Sequence, residues 1–279
     1  MKKVFEMTDL GLMTYFLGME ITQKKNEIFI CQKKYAKEIL KKSHLGECKP
    51  MNTPMNKKEK LIKEDETDKV DEAYFRSLIG CLMYLTSTRP DILFTVSLLS
   101  TYMHCASELH LKATKRVVRY IKGTVNYGVK YYKVQNFKLF GFSDNDWASS
   151  LDDMKSTSGY CFSMGSSVFS WCSKKQEVVA QSTVEAEFIL AVAAVNQVIW
   201  LRNILIDLGM KQDKCTKVFV DNQAAISISH NPIFNGKTKH FNVKLFHLRE
   251  VQESGKAFLV YCCTKDQVVD IFTKSFSLI

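Results

Sequence analysis

The stretch Phe137-Lys-Leu-Phe-Gly-Phe-Ser-Asp144 constrains this chain more than any other. It is a short, mostly apolar run closed by a carboxylate, the pattern of a buried strand that carries an acid to its own end. Three further acids stand where an element begins or ends: Glu187 on a long apolar helix, Asp221 directly after Lys217-Val-Phe-Val220, and Asp270 in the first turn of a last helix. If the strands before Asp144 and Asp221 are neighbours, the two side chains emerge about 4.8 Å apart. Carboxylates that close repel unless a cation lies between them. Mg2+ suits such a place, since it takes a few carboxylates, several waters and phosphate oxygens.

The long helix offers two acids, and only one can join this group. Ser182-Thr-Val-Glu185 reads as a capping box, which occupies Glu185. At about 100° per residue, Glu187 falls at the edge of the apolar stripe formed by Val184, Phe188, Ala191, Val195 and Val198, and is the better ligand. Two of the acids also have plainer readings. Asp221-Asn222 can cap the helix that follows, and Asp270 can be a partner for a helix dipole. Asp146, Asp152 and Asp153 read as loop acids.

The chain has 279 residues and a net charge of +10, a balance that favours a polyanionic partner. Charge alone does not separate nucleic acid from an anionic membrane. No apolar stretch reaches the roughly 20 residues that span a bilayer, and no signal-peptide pattern opens the chain, so an intracellular protein with no membrane partner is expected, cytoplasmic or nuclear. The nine cysteines include no Cys-x-x-Cys pair and are read as reduced core thiols.

Along the chain, residues 1–56 show two β-prone runs around a polar turn, then a helix from about Lys33 to Lys42. Residues 57–134 open with a polar linker and continue as three helices. Pro90 starts the second of them, Ile92, Val96, Leu99 and Met103 form its buried stripe, and Ser107 caps the third. On that third helix Lys112, Lys115, Arg116, Arg119 and Lys122 recur at helical spacing. They make either a solvated charged face or a track for a nucleic-acid backbone. From 135 to 279 the order β-β-β-α-β-α-α-β-α, with a hairpin at Gly165-Ser166 and a cap at Thr264 and Gln267 for the terminal helix, predicts an α/β fold with one mixed five-stranded sheet. Strands one, four and five are expected to be parallel.

Several ordered motifs carry a resemblance across nearly the whole chain: Gly141-Phe-Ser-Asp-Asn-Asp-Trp147, Lys155-Ser-Thr-Ser-Gly-Tyr160, Ser170-Trp-Cys-Ser-Lys-Lys-Gln176, Thr183-Val-Glu-Ala-Glu-Phe188, Asp221-Asn-Gln-Ala-Ala225, Lys237-Thr-Lys-His240 and Asp270-Ile-Phe-Thr-Lys274. In that order they resemble the ribonuclease H domain of copia-type retrotransposon Pol polyproteins. Upstream, Tyr15-Phe-Leu-Gly18, Tyr84-Leu-Thr-Ser-Thr-Arg-Pro-Asp91 and Lys115-Arg-Val-Val-Arg-Tyr-Ile-Lys-Gly-Thr124 resemble the end of the reverse transcriptase and the segment joining it to that domain.

The resemblance implies a ribonuclease H-like fold, with Asp144, Glu187, Asp221 and Asp270 matching the family's four metal-binding acids. It also implies hydrolysis of the RNA strand of an RNA-DNA hybrid by two Mg2+ ions (or Mn2+) about 4 Å apart. Lys174, Lys175, Lys237, Lys239 and Lys244 are expected to contact phosphates. Departures from the family pattern are Asn145, Asn242, Cys263 and Ser275-Phe276, and none falls on an expected ligand. The family's Tyr-x-Asp-Asp polymerase motif is missing from the sequence, so no DNA synthesis is expected unless a polymerase subunit is supplied in trans. The alternative is a catalytically silent remnant that binds nucleic acid. Thr264 to Val269 contains no histidine, so the proton-transfer residue is unassigned.

Overall fold

Apolar alternation around the polar Lys25-Asn26 turn folds the first segment into strands β1 (Tyr15–Phe16), β2 (Met19–Lys24) and β3 (Glu27–Cys31), each antiparallel to the next, followed by helix α1 (Lys33–Lys42). The computed structural model describes residues 11–57, 59–135, 137–230 and 239–275, with the backbone alone at 239–242. Helix α2 (Glu72–Leu85) starts on Asp71, whose carboxylate accepts the N–H groups of Ala73 and Tyr74. A 3-10 turn at Pro90–Ile92 leads into α3 (Leu93–Ser100), and α4 (Glu108–Gly123) begins on the expected cap, Ser107.

The next element was not apparent from the sequence. Residues Gly128–Tyr132 form β4, antiparallel to β3 from Glu27↔Tyr132 to Cys31↔Gly128. The pairing explains the glycine: a Cβ on Gly128 would lie 2.3 Å from the Ile30 carbonyl oxygen. Because β4 closes the first sheet, the expected units 1–56 and 57–134 share one core, with Ala36, Ile39 and Met55 packed among Phe75, Leu82, Val96 and Ile121. The structure draws no boundary between them at residue 56. Arg89 lies buried in this body, donating to both Asp91 oxygens and to the carbonyl and hydroxyl of Thr124, and so ties the start of α3 to the end of α4.

The second body contains β5 (Leu139–Asp146), β6 (Thr157–Met164), β7 (Ser167–Lys175), α5 (Thr183–Asp207), β8 (Thr216–Val220), α6 (Gln223–His230), α7 (Lys239–Glu253), β9 (Ala257–Tyr261) and, after a 3-10 turn, α8 (Asp270–Thr273). Its sheet order is β7-β6-β5-β8-β9, antiparallel from β7 to β5 and parallel across β5, β8 and β9. This is the ribonuclease H-like α/β sheet that the motifs implied, with the expected hairpin at Gly165-Ser166.

Helix α5 lies against the sheet. Phe188, Ala191, Val195 and Val198 are buried with Val218, Val220 and Leu259, each large side chain contributing about 1.5–3 kcal/mol. The expectation that no apolar stretch reaches bilayer-spanning length fails at this helix. The 25-residue α5 is long and apolar enough by length and composition to cross a membrane, and it qualifies because the core helix of a sheet is apolar over a wide arc. The cysteine reading is corrected too: all nine are free, but only Cys31 and Cys161 are buried and Cys263 is exposed.

The two bodies touch along α3, β7 and α8. Ser97 donates to the Ser173 carbonyl at 2.8 Å, the Trp171 indole to the Thr86 carbonyl at 3.1 Å, and Leu93 packs against Phe272 and Val269.

Gly159 on β6 lies beneath α8 within the second body, opposite Asp144 on the neighbouring strand. A Cβ there would meet Thr273, Val269 and Phe272 atoms at 2.8, 2.9 and 3.0 Å. Gly159→Ala is therefore expected to push α8 off the sheet and to cost about 1–3 kcal/mol, read as a lower urea midpoint at unchanged slope.

Candidate active site

The acids meet because of where two strands part. β5 pairs with β8 as far as Ser143↔Val220, and the next residue on each strand is an aspartate, Asp144 and Asp221. β5 runs on to Asp146 against β6, so Asp144 lies inside a strand rather than at its end, and Asp146 is a strand residue rather than a loop acid. Helix α5 crosses the same sheet and places Glu187, one turn from its start, over this point. Carboxylate oxygens of Asp144, Glu187 and Asp221 all lie within 4.8 Å of one another.

The plainer readings of these acids divide between them. Asn222, not Asp221, accepts the Ala225 N–H and caps α6, so Asp221 is left to the site. Glu185 is occupied, but not through a full capping box: Ser182 accepts the Glu185 N–H, while the Glu185 carboxylate takes the N–H of Gln181, the residue before the cap, at 2.8 Å. Asp270 is the first residue of a single-turn helix, not one turn into a longer one. Thr264 and Gln267 make no cap. The Thr264 hydroxyl donates to Asp221 at 3.4 Å, and the Gln267 amide donates to the Ser143 carbonyl at 2.8 Å, bracing β5 beside the acids.

Asp270 stands apart from the other three, and Lys274 joins it to them. The Lys274 ammonium is 2.9 Å from Asp270 Oδ1 and 3.3 Å from Asp144 Oδ2. Thr273 also donates its hydroxyl to Asp144 Oδ2. Sequence reasoning passed over Thr273 and Lys274, although both lie in the Asp270–Lys274 motif and Lys274 has the i,i+4 spacing of a helical ion pair with Asp270. Gln176 was missed as well. Buried, it offers its amide N–H groups to Asn145 Oδ1, Ser158 Oγ and the Ala186 carbonyl, linking β5, β6 and the start of α5 next to Glu187.

Electrostatically the site is short of positive charge. Burial, then the charges of Asp144 and Asp221, push the Glu187 carboxyl up to about 9. Burial also raises Asp144, against the Thr273 hydrogen bond and the Lys274 charge, and it raises Asp146. For Lys274 burial acts downward, but the hydrogen bond to Asp270 and the charge of Asp144 outweigh it and raise its pKa. Glu187 Oε2 is buried with no hydrogen-bond partner. An orphaned carboxylate oxygen facing two more carboxylates fits a hard, oxygen-seeking divalent cation.

The expected phosphate contacts fare differently. Arg116 donates to Thr53 Oγ1 at 2.8 Å, Arg119 to the Lys49 carbonyl at 2.8 Å and Lys122 to the Cys48 carbonyl at 2.7 Å. The α4 stripe is thus no free track from end to end, since three of its cations clamp the Cys48–Thr53 segment and Lys112 and Lys115 remain exposed. Lys175 pairs with Asp153 at 2.7 Å, whereas Lys174 pairs with the exposed Glu177 at 3.0 Å and Lys244 lies near enough to help lower the Glu177 pKa. Lys237 lies outside the described residues, and Lys239 is described only as the first residue of α7.

Residues 1–57 match the family described as Reverse transcriptase (RNA-dependent DNA polymerase). Over 273 residues, 98% of the chain, it is 34% identical to the Retrovirus-related Pol polyprotein from transposon RE1 of Arabidopsis thaliana. The chain belongs to the copia-type retrotransposon Pol family. It spans 19% of the length of that polyprotein. It is also 36% identical over 201 residues to an uncharacterised mitochondrial protein of Arabidopsis thaliana, covering 72% of this chain and 83% of that protein. Among solved structures, that of the foamy viral protease-reverse transcriptase in complex with dsDNA is similar in fold, with a TM-score of 0.50 and 12% identity over 90% of this chain and 44% of that one.

Proposed function

We propose that the second body of this Pol-family chain is a metal-dependent ribonuclease H that hydrolyses the RNA strand of RNA-DNA hybrids. The observation that carries the proposal is the meeting of Asp144, Glu187 and Asp221 within 4.8 Å around the unpartnered Glu187 oxygen. These three would hold divalent ions, Mg2+ or Mn2+, with Asp270 at the edge of the site. Bound there, two such ions supply charge stabilisation to the phosphate and acidify the attacking water.

The chain's own residues do the rest. The Thr273 hydroxyl and the paired β-strands fix the Asp144 side chain, Thr264 orients Asp221, and the Asn145 N–H holds one side of Glu187. The net charge of +10, together with exposed Lys112, Lys115 and Lys174, supports a polyanionic substrate. The foamy viral relative in fold, solved with dsDNA, supports a double-stranded one. We further propose that the chain does not polymerise DNA, because its reverse-transcriptase match carries no Tyr-x-Asp-Asp sequence.

The test is a labelled RNA-DNA hybrid incubated with the whole chain. RNA fragments with Mg2+ and none with EDTA are expected. Intact hybrid after prolonged incubation with Mn2+, with binding that weakens steeply in salt, would leave the silent nucleic-acid-binding reading instead.

A further inference from the structure

Lys274 is the one feature of the site that a metal-binding role does not account for. Its ammonium lies between two carboxylates, Asp144 of the three-acid group and Asp270 outside it. It is not locked in the core: 43% of the Lys274 side chain and 41% of that of Asp270 are exposed. It also lines a cleft of about 330 Å³ between the two bodies, shared with Asp146, Thr157, Ser149 and Lys175.

We infer that Lys274 is a resident counter-ion that occupies the Asp144–Asp270 position in the metal-free protein, and that a divalent ion binds only by displacing it. The inference rests on the metal-site reading above. A lysine ammonium and a divalent cation seek the same oxygens, and two unit charges about 4 Å apart interact by several kcal/mol even at an effective dielectric near 20. Both therefore cannot sit on Asp144 at full strength. On leaving, the ammonium has the carboxylate of Asp146 on the wall of the same cleft, near enough for the Lys274 charge to act on it. The arrangement keeps a cluster of acids from repelling one another before metal arrives, and it sets the affinity for metal below what the acids alone would give.

Two measurements test this. In the wild-type chain, acetylation of lysines by an activated ester, mapped by mass spectrometry, should proceed several-fold faster at Lys274 when Mg2+ is added and be unchanged at the reference Lys174. Equal or slower labelling of Lys274 overturns the inference. Lys274→Met should bind Mn2+ about tenfold more tightly by calorimetry, equal to about 1.4 kcal/mol, and Lys274→Arg should stay near wild type. Equal or weaker binding by Lys274→Met overturns it even if wild-type metal binding is confirmed. If neither protein takes up Mn2+, the metal-site reading itself falls, an outcome separable from failure of the Lys274 role alone.

Discussion

Asp144→Asn will abolish Mg2+-dependent cleavage of the hybrid, while the protein stays folded. Asp144 is the acid on which the site converges, since its oxygens face Glu187 and Asp221, accept the Thr273 hydroxyl and receive the Lys274 ammonium. An amide keeps an acceptor for Thr273 but loses the charge that would hold a cation. Metal stabilisation of transition-state charge amounts to several kcal/mol, so a loss of about 10²–10⁴ in single-turnover rate is expected. Asp270→Asn should cost less, about tenfold, because Asp270 stands outside the group of three. Circular dichroism on both variants would separate lost chemistry from lost fold. An Asp144→Asn protein that cuts at the wild-type rate would remove the proposed function.

The second large effect appears without any substrate. Glu187→Gln is expected to stabilise the metal-free protein and to remove much of its pH dependence. The Glu187 carboxyl is pushed up to about 9 in the folded chain, first by burial and then by Asp144 and Asp221, against an ordinary value of 4.5. The folded state thus holds this proton more tightly than the unfolded state does. Its influence is absent below about pH 4.5, and stability falls as pH rises from there towards 9. Asp144, also raised by burial, acts in the same direction, and Lys274 opposes both.

Melting curves in EDTA between pH 5.5 and 8.5 should therefore decline for the wild type and lie flatter for Glu187→Gln. The variant should melt several degrees higher at the alkaline end, each 1 kcal/mol being about 2–4 °C for a chain of this size class. Added Mg2+ should raise the wild-type curve at pH 8.5 and leave the variant unmoved. A wild-type curve that rises with pH in EDTA would contradict the crowding of these acids.

The two effects pull against each other, as they do wherever like charges are held together for use. Burial raises the Asp144 and Glu187 carboxyls, which opposes folding of the metal-free chain as they ionise, and the apolar packing of α5 and the Lys274 ammonium offset it.

Much of this was legible in residue order. The apolar runs of β5, β8 and β9, the Ser182 cap, the hairpin at Gly165-Ser166 and the alternation that makes the second sheet mixed all follow from local patterning, which depends on neighbours in the chain. Glu187 was separable from Glu185 because a helix has a fixed angular period. By contrast, β4 was passed over: Val129, Tyr131 and Tyr132 are β-prone, but the run is short and opens on Gly128, and nothing local says that β3 is its partner. The α4 cations showed the right spacing for a track, but spacing does not reveal that Arg116, Arg119 and Lys122 are already engaged with Cys48–Thr53.

By itself, then, the sequence determined which residues are acidic, which elements carry them and that the second body is an α/β sheet, because period and capping are properties of a few consecutive residues. Only the tertiary structure decided that three of the acids meet while Asp270 stands off behind Lys274. It also decided that the Glu187 oxygen has no partner and that the helical body docks on β7 and α8. Those facts depend on where β5 and β8 diverge and on the missing Cβ of Gly159, which lets α8 lie on the sheet. Distances between residues far apart in the chain are set by packing, and packing has no signature within a single stretch of sequence.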